Sequence, residues 1–180
     1  FRAPERLFAL LMQAAGRAGR DAAQSARSEM WVQTFHPSHA LFEALKKHDY
    51  PAFAEQQLKE RLEAGLPPHS FQALIRSDAR TQAVAQAFLN QGNAQLQSLL
   101  TALNEADAAL LSEVSVYPTV PMSIQRVANV ERAQLLVEAV SRSALQRFLY
   151  AWQGVLLHTR SAPEAKGLIR FAVDVDPVSI

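Results

Sequence analysis

The sequence predicts an α/β chain of the α+β kind, built in two parts: a helical stretch over residues 1–65, then a β-α-β-β-α-β domain over 66–180. Three observations predict it. Gly65-Leu66-Pro67-Pro68 breaks the helical pattern, with prolines that end a helix and stiffen the connection after it. Beyond that break, strand and helix signals follow the order of a split βαβ fold, in which two helices cover one face of an antiparallel sheet. Near the end, Ile169, Phe171, Val173 and Val175 alternate with Arg170, Ala172, Asp174 and Asp176, the clearest period-2 run in the chain.

Taken in order, Pro4 suits the first turn of a helix whose apolar face is Leu7, Phe8, Leu11 and Met12 and which runs to about Ala15. Gly16-Arg17-Ala18-Gly19-Arg20 reads as a basic turn, and residues 21–28 as a polar loop. Residues 30–35, with Trp31, Val32, Thr34 and Phe35, favour a strand that Pro37 ends. Ser38 is placed to cap a helix over 40–47, and Pro51 to open another through Phe53, Leu58 and Leu62. In the second part, residues 71–76 read as a strand. A helix from about Arg80 carries Leu96, Leu99, Leu100 and Leu103 at helical spacing, with Gly92 as a kink. A short strand over 114–117, a turn at Pro118 and Pro121, and a half-buried strand through Ala133, Leu135, Val137 and Ala139 follow. Ser141 caps a helix bearing Leu145, Phe148, Leu149, Trp152, Leu156 and Leu157, with Pro163 beyond its end.

Composition bounds the function. Of 180 residues, 49% are hydrophobic and 19% charged, which suits one ordinary domain or part of one joined to a small second domain. Eighteen Lys and Arg against seventeen Asp and Glu leave a net charge of +1, so total charge argues neither for nor against a polyanionic partner. The lack of cysteine removes disulfides, thiolate zinc sites and cysteine nucleophiles together. Apolar stretches fall well short of the roughly 20 residues that span a bilayer, so a soluble chain with no membrane partner is expected. The chain opens at Phe1 with no export leader, which reads as a piece of a longer polypeptide.

The most specific motif is Gln13-Ala14-Ala15-Gly16-Arg17-Ala18-Gly19-Arg20. Two guanidiniums three residues apart at a glycine-punctuated turn suit a bidentate grip on phosphate and the charge that develops in phosphoryl transfer. An ordinary basic helix end, satisfying the helix dipole, explains the same residues equally well. From Pro121 to Arg170, the cations Arg126, Arg132, Arg142, Arg147, Arg160, Lys166 and Arg170 face Glu131, Glu138 and Glu164, a local excess that suits weak, sequence-independent contact with a phosphate backbone or a solvated polar face. The remaining candidates favour structural roles. His36, His39, His48, His69 and His158 lack a convincing third ligand, so no metal site is expected. Asp174 and Asp176 share a strand face, but an edge location explains them better than a carboxylate pair. Trp152, with apolar neighbours at helical spacing, reads as core rather than a base-stacking platform.

Gln13 to Arg20 resembles the Q-x-x-G-R-x-G-R motif of superfamily-two helicases. The flanking Phe1-Arg2-Ala3-Pro4-Glu5-Arg6, Val32-Gln33-Thr34, His48-Asp49-Tyr50, Phe53-Ala54-Glu55, Gly65-Leu66-Pro67-Pro68 and Asp174-Val175-Asp176-Pro177 narrow the likeness to the bacterial replication-restart helicase family, primosomal protein N′. The resemblance covers nearly the whole chain. It implies that residues 1–65 are the last part of the second motor lobe and that 66–180 form a ferredoxin-like C-terminal domain for DNA or partner proteins. It implies an ATP-dependent 3′-to-5′ helicase that recognises stalled forks and reloads the replisome, with Arg17 and Arg20 as arginine fingers. Gln13, Gly16, Arg17 and Arg20 would face the nucleotide, and Arg126 and Arg132 the nucleic acid. ATP and Mg²⁺ in the full-length protein, zinc in a cysteine-rich insertion absent here, and a monomer in the bacterial cytoplasm follow from the same likeness. So do forked and single-stranded DNA, single-stranded-DNA-binding protein and other primosome proteins as partners, with the fragment alone inactive.

The chain departs from the family at two places. Tyr117-Pro118 stands for Gly-Pro, and Asn129-Val130-Glu131-Arg132 for a basic Gly-Arg-Tyr-Arg run of which only Arg132 matches. A non-catalytic DNA- or protein-docking module is the alternative reading. A small enzyme built on Asp174 and Asp176 lacks any accompanying nucleophile, base or cofactor motif.

Overall fold

The structure is a computed structural model that describes residues 2–18, 29–100, 109 and 112–178. It has mixed helices and an antiparallel sheet, and the chain divides into two compact units, Phe1–Leu66 and Pro67–Ile180.

In the first unit, helices α1 (Ala3–Ala18), α2 (Ala40–Lys46) and α3 (Tyr50–Glu63) gather around Phe8, Leu41, Ala44, Leu45 and Phe53. Phe8 stacks on Phe53 with ring centres 4.2 Å apart, which fixes α1 against α3. Glu5 and Arg61 join the same two helices by an ion pair. Leu7, expected on the buried face, is exposed, because Phe8, Leu11 and Met12 already fill the narrow seam. The expected turn at Gly16 is absent and α1 runs on to Ala18. One glycine costs a helix only about 1 kcal/mol, and Ala14, Ala15 and Ala18 are the strongest helix formers. Gly19, Arg20 and the expected loop over 21–28 lie outside the described residues.

Residues 30–35 are not a strand. Among the described residues their amides meet no backbone carbonyl, and a strand without a neighbour has no ladder to hold it. His39, not Ser38, caps α2: its Nδ1 accepts from the Leu41 amide at 3.1 Å. Asp49 caps α3 through the Ala52 amide at 3.0 Å, with Pro51 in the first turn as expected. The helix ends at Gly65, whose φ of +63° lets its own amide reach Leu62 O while the Leu66 amide reaches Arg61 O. On α2, Lys46 holds the exposed Glu43 carboxyl below its ordinary range by a hydrogen bond and by charge.

The second unit runs β1 (Phe71–Ala79), α4 (Gln82–Leu100), β2 (Val114–Val116), β3 (Val120–Val127), β4 (Val130–Ala139), α5 (Arg142–Arg160), a 3-10 turn (Pro163–Ala165) and β5 (Leu168–Val175). The sheet order is β2-β4-β1-β5, and every pairing is antiparallel. The expected β-α-β-β-α-β order holds with one difference, the added strand β3, where a turn at Pro118 and Pro121 was expected. β2 pairs the far end of β4, Val137 to Ala139, and β3 the near end, Val130 to Gln134. The two therefore lie end to end on one edge, a single strand position interrupted around Pro118. Pro121 is tolerated because this is an outer strand, where a missing amide leaves no ladder bond unmade. Ala128 and Asn129, with φ of +48° and +63°, form the two-residue turn that returns the chain into β4.

The core lies between one sheet face and both helices. Ala73, Ile75 and Ala79 of β1 and Ala133, Leu135, Val137 and Ala139 of β4 meet Phe88, Leu89 and Leu96 of α4 and Leu145, Phe148, Trp152 and Leu156 of α5. Ser141 caps α5 as expected, accepting from the Ala144 amide at 3.2 Å. Trp152 is core, donating its indole N–H to Gly92 O at 3.0 Å. That contact explains Gly92, expected to mark a kink: a Cβ there would stand 2.9 Å from Leu156 Cδ2, so the bare backbone lets α5 approach. Leu103 lies outside the described residues, and Leu157 is exposed. Ile169, Val173 and Val175 stay partly exposed because, among the described residues, β5 is an edge strand with β1 on one side.

Candidate functional site

The motif residues sit at the C-terminal end of α1. Packing Phe8, Leu11 and Met12 inward leaves Gln13, Gly16 and Arg17 exposed on the far side, and Gln13 and Arg17, four apart, share one stripe of the helix. Arg17 has no ion pair among the described residues. Its guanidinium and the Gln13 amide offer donors of the kind a phosphate accepts. Gly16 has open space around it, so its place in the helix answers no steric need within this unit. Arg20 lies outside the described residues, so its distance from Arg17 is not part of this geometry.

The second pair of candidates is separated by the sheet. Arg126 and Glu131 are direct partners in the β3–β4 ladder and share a face, with Arg126 Nε 3.5 Å from Glu131 Oε1 and its NH2 group donating to Asn129 Oδ1 at 2.8 Å. Arg132, the next residue of β4, points to the opposite face. There it opposes Asp78 of β1, which on its other side opposes Arg170 of β5. The distances are 3.7 Å from Arg132 Nε and 2.6 Å from Arg170 Nε to the Asp78 carboxylate, itself largely buried. Asp78 thus bridges three strands between two guanidiniums. The same face holds Arg76 against Asp174 at 2.9 Å and Gln72 donating to Glu138 at 2.6 Å.

These pairs change the meaning of the cation-rich tract. Arg126, Arg132, Arg142 and Arg170 each meet a carboxylate, and the partners of three of them, Asp78 and Asp176, lie outside the 121–170 stretch in which the excess was counted. Folding returns much of that charge to balance. Sequence reasoning missed Asp78 because the first strand was ended at Arg76. The continued alternation of Gln72, Leu74, Arg76 and Asp78 against Ala73, Ile75, Ser77 and Ala79 was the available signal.

The minor candidates resolve simply. Asp174 belongs to Arg76, whereas Asp176, beyond β5 with φ +55°, pairs with Arg142 at 3.3 Å, so the two carboxylates do not work as a pair. His39 is a helix cap. Among the described residues no three His, Cys, Asp or Glu side chains gather in a way that could hold a metal ion. No helix among them is long and apolar enough to cross a membrane. Two clefts, of about 410 Å³ between α2 and α3 and about 570 Å³ between α4 and α5, are lined by one candidate histidine each, His39 and His158, and by none of the candidate arginines.

Residues 62–178 match the family described as the primosomal protein N C-terminal domain. Over 177 residues, 98% of the chain, it is 36% identical to the replication restart protein PriA of Haemophilus influenzae, covering 22% of that protein. The replication restart protein PriA of Synechocystis sp. is 29% identical over the whole chain, and that of Bacillus subtilis 28% identical over 98% of it, with 19% and 20% of the relatives covered. The chain therefore spans about a fifth of the length of these relatives. With most of its second unit matched to that domain and its full length alike to proteins that share one name, the chain belongs to the primosomal protein N family.

Proposed function

We propose that this chain is the C-terminal part of an ATP-dependent 3′-to-5′ DNA helicase that recognises stalled replication forks and restarts replication by primosome assembly. The observation that carries this reading is the whole-chain similarity to replication restart proteins, which takes in the Gln13–Arg20 motif as well as the second unit. Residues 1–65 then belong to the second motor lobe, and 66–180 form the domain that meets DNA and partner proteins.

In this reading Gln13, Gly16, Arg17 and Arg20 face a nucleotide held chiefly by the rest of the protein. When bound there, ATP with Mg²⁺ supplies the phosphoryl group that is transferred to water. Arg17, and Arg20 with it, supplies fixed positive charge to the transferring phosphoryl oxygens. Zinc belongs to a cysteine-rich insertion elsewhere in the protein, since this chain has no cysteine. Single-stranded-DNA-binding protein and other primosome proteins are the proposed partners, and the protein acts as a monomer in the bacterial cytoplasm.

A second reading of the second unit, as a protein-docking module, draws on the carboxylates that already occupy Arg126, Arg132 and Arg170. Titration of forked DNA at two or more salt concentrations separates the two. As a DNA-contacting unit it binds weakly and without base preference, and Arg132→Ala lowers the slope of log affinity against log salt by about 0.9, the share of one phosphate. No binding even at low salt assigns the unit to protein docking.

A further inference from the structure

The sheet of the second unit has two edges, and the sequence guards them differently. The outer position shared by β2 and β3 is interrupted by Pro118 and Pro121, which suit a strand that takes no further neighbour. β5, on the other edge, holds no proline from Leu168 to Val175 and, among the described residues, has β1 as its one strand neighbour. Its side chains are accessible there: Val173 and Val175 on the face that carries the helices, Arg170 and Ala172 on the other.

The Asp176 amide donates to Gln72 O at 2.9 Å, which sets the phase of the strand. Arg170, Ala172 and Asp174 therefore turn their backbone groups toward β1, and Phe171, Val173 and Val175 turn theirs outward. A bulge at Ile169 ends the regular edge on one side and the left-handed φ of Asp176 on the other, leaving residues 170–175. Within that stretch the sequence is its own complement. Antiparallel pairing about a two-fold axis at Ala172 sets Arg170 opposite Asp174 of a second copy, Asp174 opposite its Arg170, and Phe171 opposite Val173 both ways. In the same register the outward backbone groups of Phe171 and Val173 meet as hydrogen-bonded pairs. Ala172 lies at the axis, where opposite side chains come closest, and offers only a methyl group. A one-residue slip sets polar side chains against apolar ones, and an axis at Phe171 or Val173 sets Arg170 or Asp174 against alanine.

The charges on this edge are only partly used within the chain. Arg170 gives its Nε to Asp78 at 2.6 Å, yet its side chain is 74% accessible, and a guanidinium carries five donors. Asp174 accepts from Arg76 through Oδ2, one of two carboxylate oxygens. We propose that β5 is an interface for a second copy of this chain, which pairs antiparallel about Ala172 so that the two sheets run on as one. A row of alternating charge then crosses the axis, from Asp78 through Arg170 to Asp174 and Arg76 of the other copy. The paired stretch is short for a stable dimer, so the association is reversible and micromolar. It concerns the protein away from DNA and goes beyond the proposed function, in which a single copy acts.

Sedimentation velocity without DNA, from about 1 to about 200 µM, on the 180-residue chain and on the full-length protein tests it. Both are expected to pass from one copy to two across that range. Ala172 is exposed and belongs to none of these ion pairs, so a charge placed there leaves them intact, and far-ultraviolet circular dichroism reports that the fold is kept. Ala172→Lys and Ala172→Glu each set like charges against one another at the axis and are expected to weaken pairing at least about 10-fold. An equimolar mixture of the two sets Lys against Glu and is expected to pair at least as tightly as the unchanged chain, a recovery that mixing two misfolded variants does not give. A single copy throughout the range overturns the proposal. So does a variant that pairs like the unchanged chain, or a mixture that fails to recover. Pairing by the short chain with none by the full-length protein also overturns it, because the edge is then covered within one protein.

Discussion

In the full-length protein, Arg17→Ala or Arg20→Ala is expected to lower DNA-stimulated ATP hydrolysis by about 10³- to 10⁵-fold, the range of arginine-finger losses in phosphoryl transfer. That corresponds to about 4–7 kcal/mol of transition-state stabilisation. Arg17 is exposed at the end of a helix whose inner face is fixed by Phe8 on Phe53, and it is spent on no ion pair among the described residues. An arginine positioned by a rigid helix and left without a carboxylate is suited to a charge supplied from outside its own unit. Steady-state phosphate release with saturating single-stranded DNA is the measurement. Lys at either position keeps the charge and loses the bidentate fork, so it should recover only a fraction of the rate.

The largest expected effect on stability is at Trp152. Its indole is fully buried, meets Phe148 edge to face at 5.4 Å, and donates to the Gly92 carbonyl across the α4–α5 seam. Trp152→Ala opens a cavity in the middle of the helical layer and should destabilise the second unit by about 3–5 kcal/mol. Urea unfolding followed by far-ultraviolet circular dichroism should show the midpoint falling by about 2 M. A loss below about 1 kcal/mol would mean that the seam closes without the ring, and that the sheet face alone organises this core.

Much of the fold was legible because its signals are local. Ser141 and Asp49 cap helices through their own next turns, and Ala133, Leu135, Val137 and Ala139 alternate inward whatever their partners are. What escaped depends on distant residues. Residues 30–35 have the composition of a strand, but strand formation needs a neighbour that composition does not supply. β3 escaped because Pro121 reads as a breaker, and only the one-sided pairing of an outer strand makes it harmless. The turn at Ala128 and Asn129 escaped because neither pair position is a glycine.

The candidate sites divide in the same way. The Gln13–Arg20 motif is contiguous, so its residues were visible in the sequence, and the structure adds that Gln13 and Arg17 share an exposed stripe. The cation-rich tract was visible only as a sum. Its neutralisation by Asp78 and Asp176 comes from strand register and from the approach of α5 to the end of β5, which no window of sequence contains.

Isothermal titration with ATP, run on the 180-residue chain, the full-length protein and its Arg17→Ala variant, tests the division of labour most directly. The account predicts no ATP binding by the short chain at micromolar concentrations, binding by the full-length protein, and binding within a few-fold of that by the variant whose turnover is lost. Micromolar ATP binding by the short chain, or wild-type turnover by the variant, would contradict it.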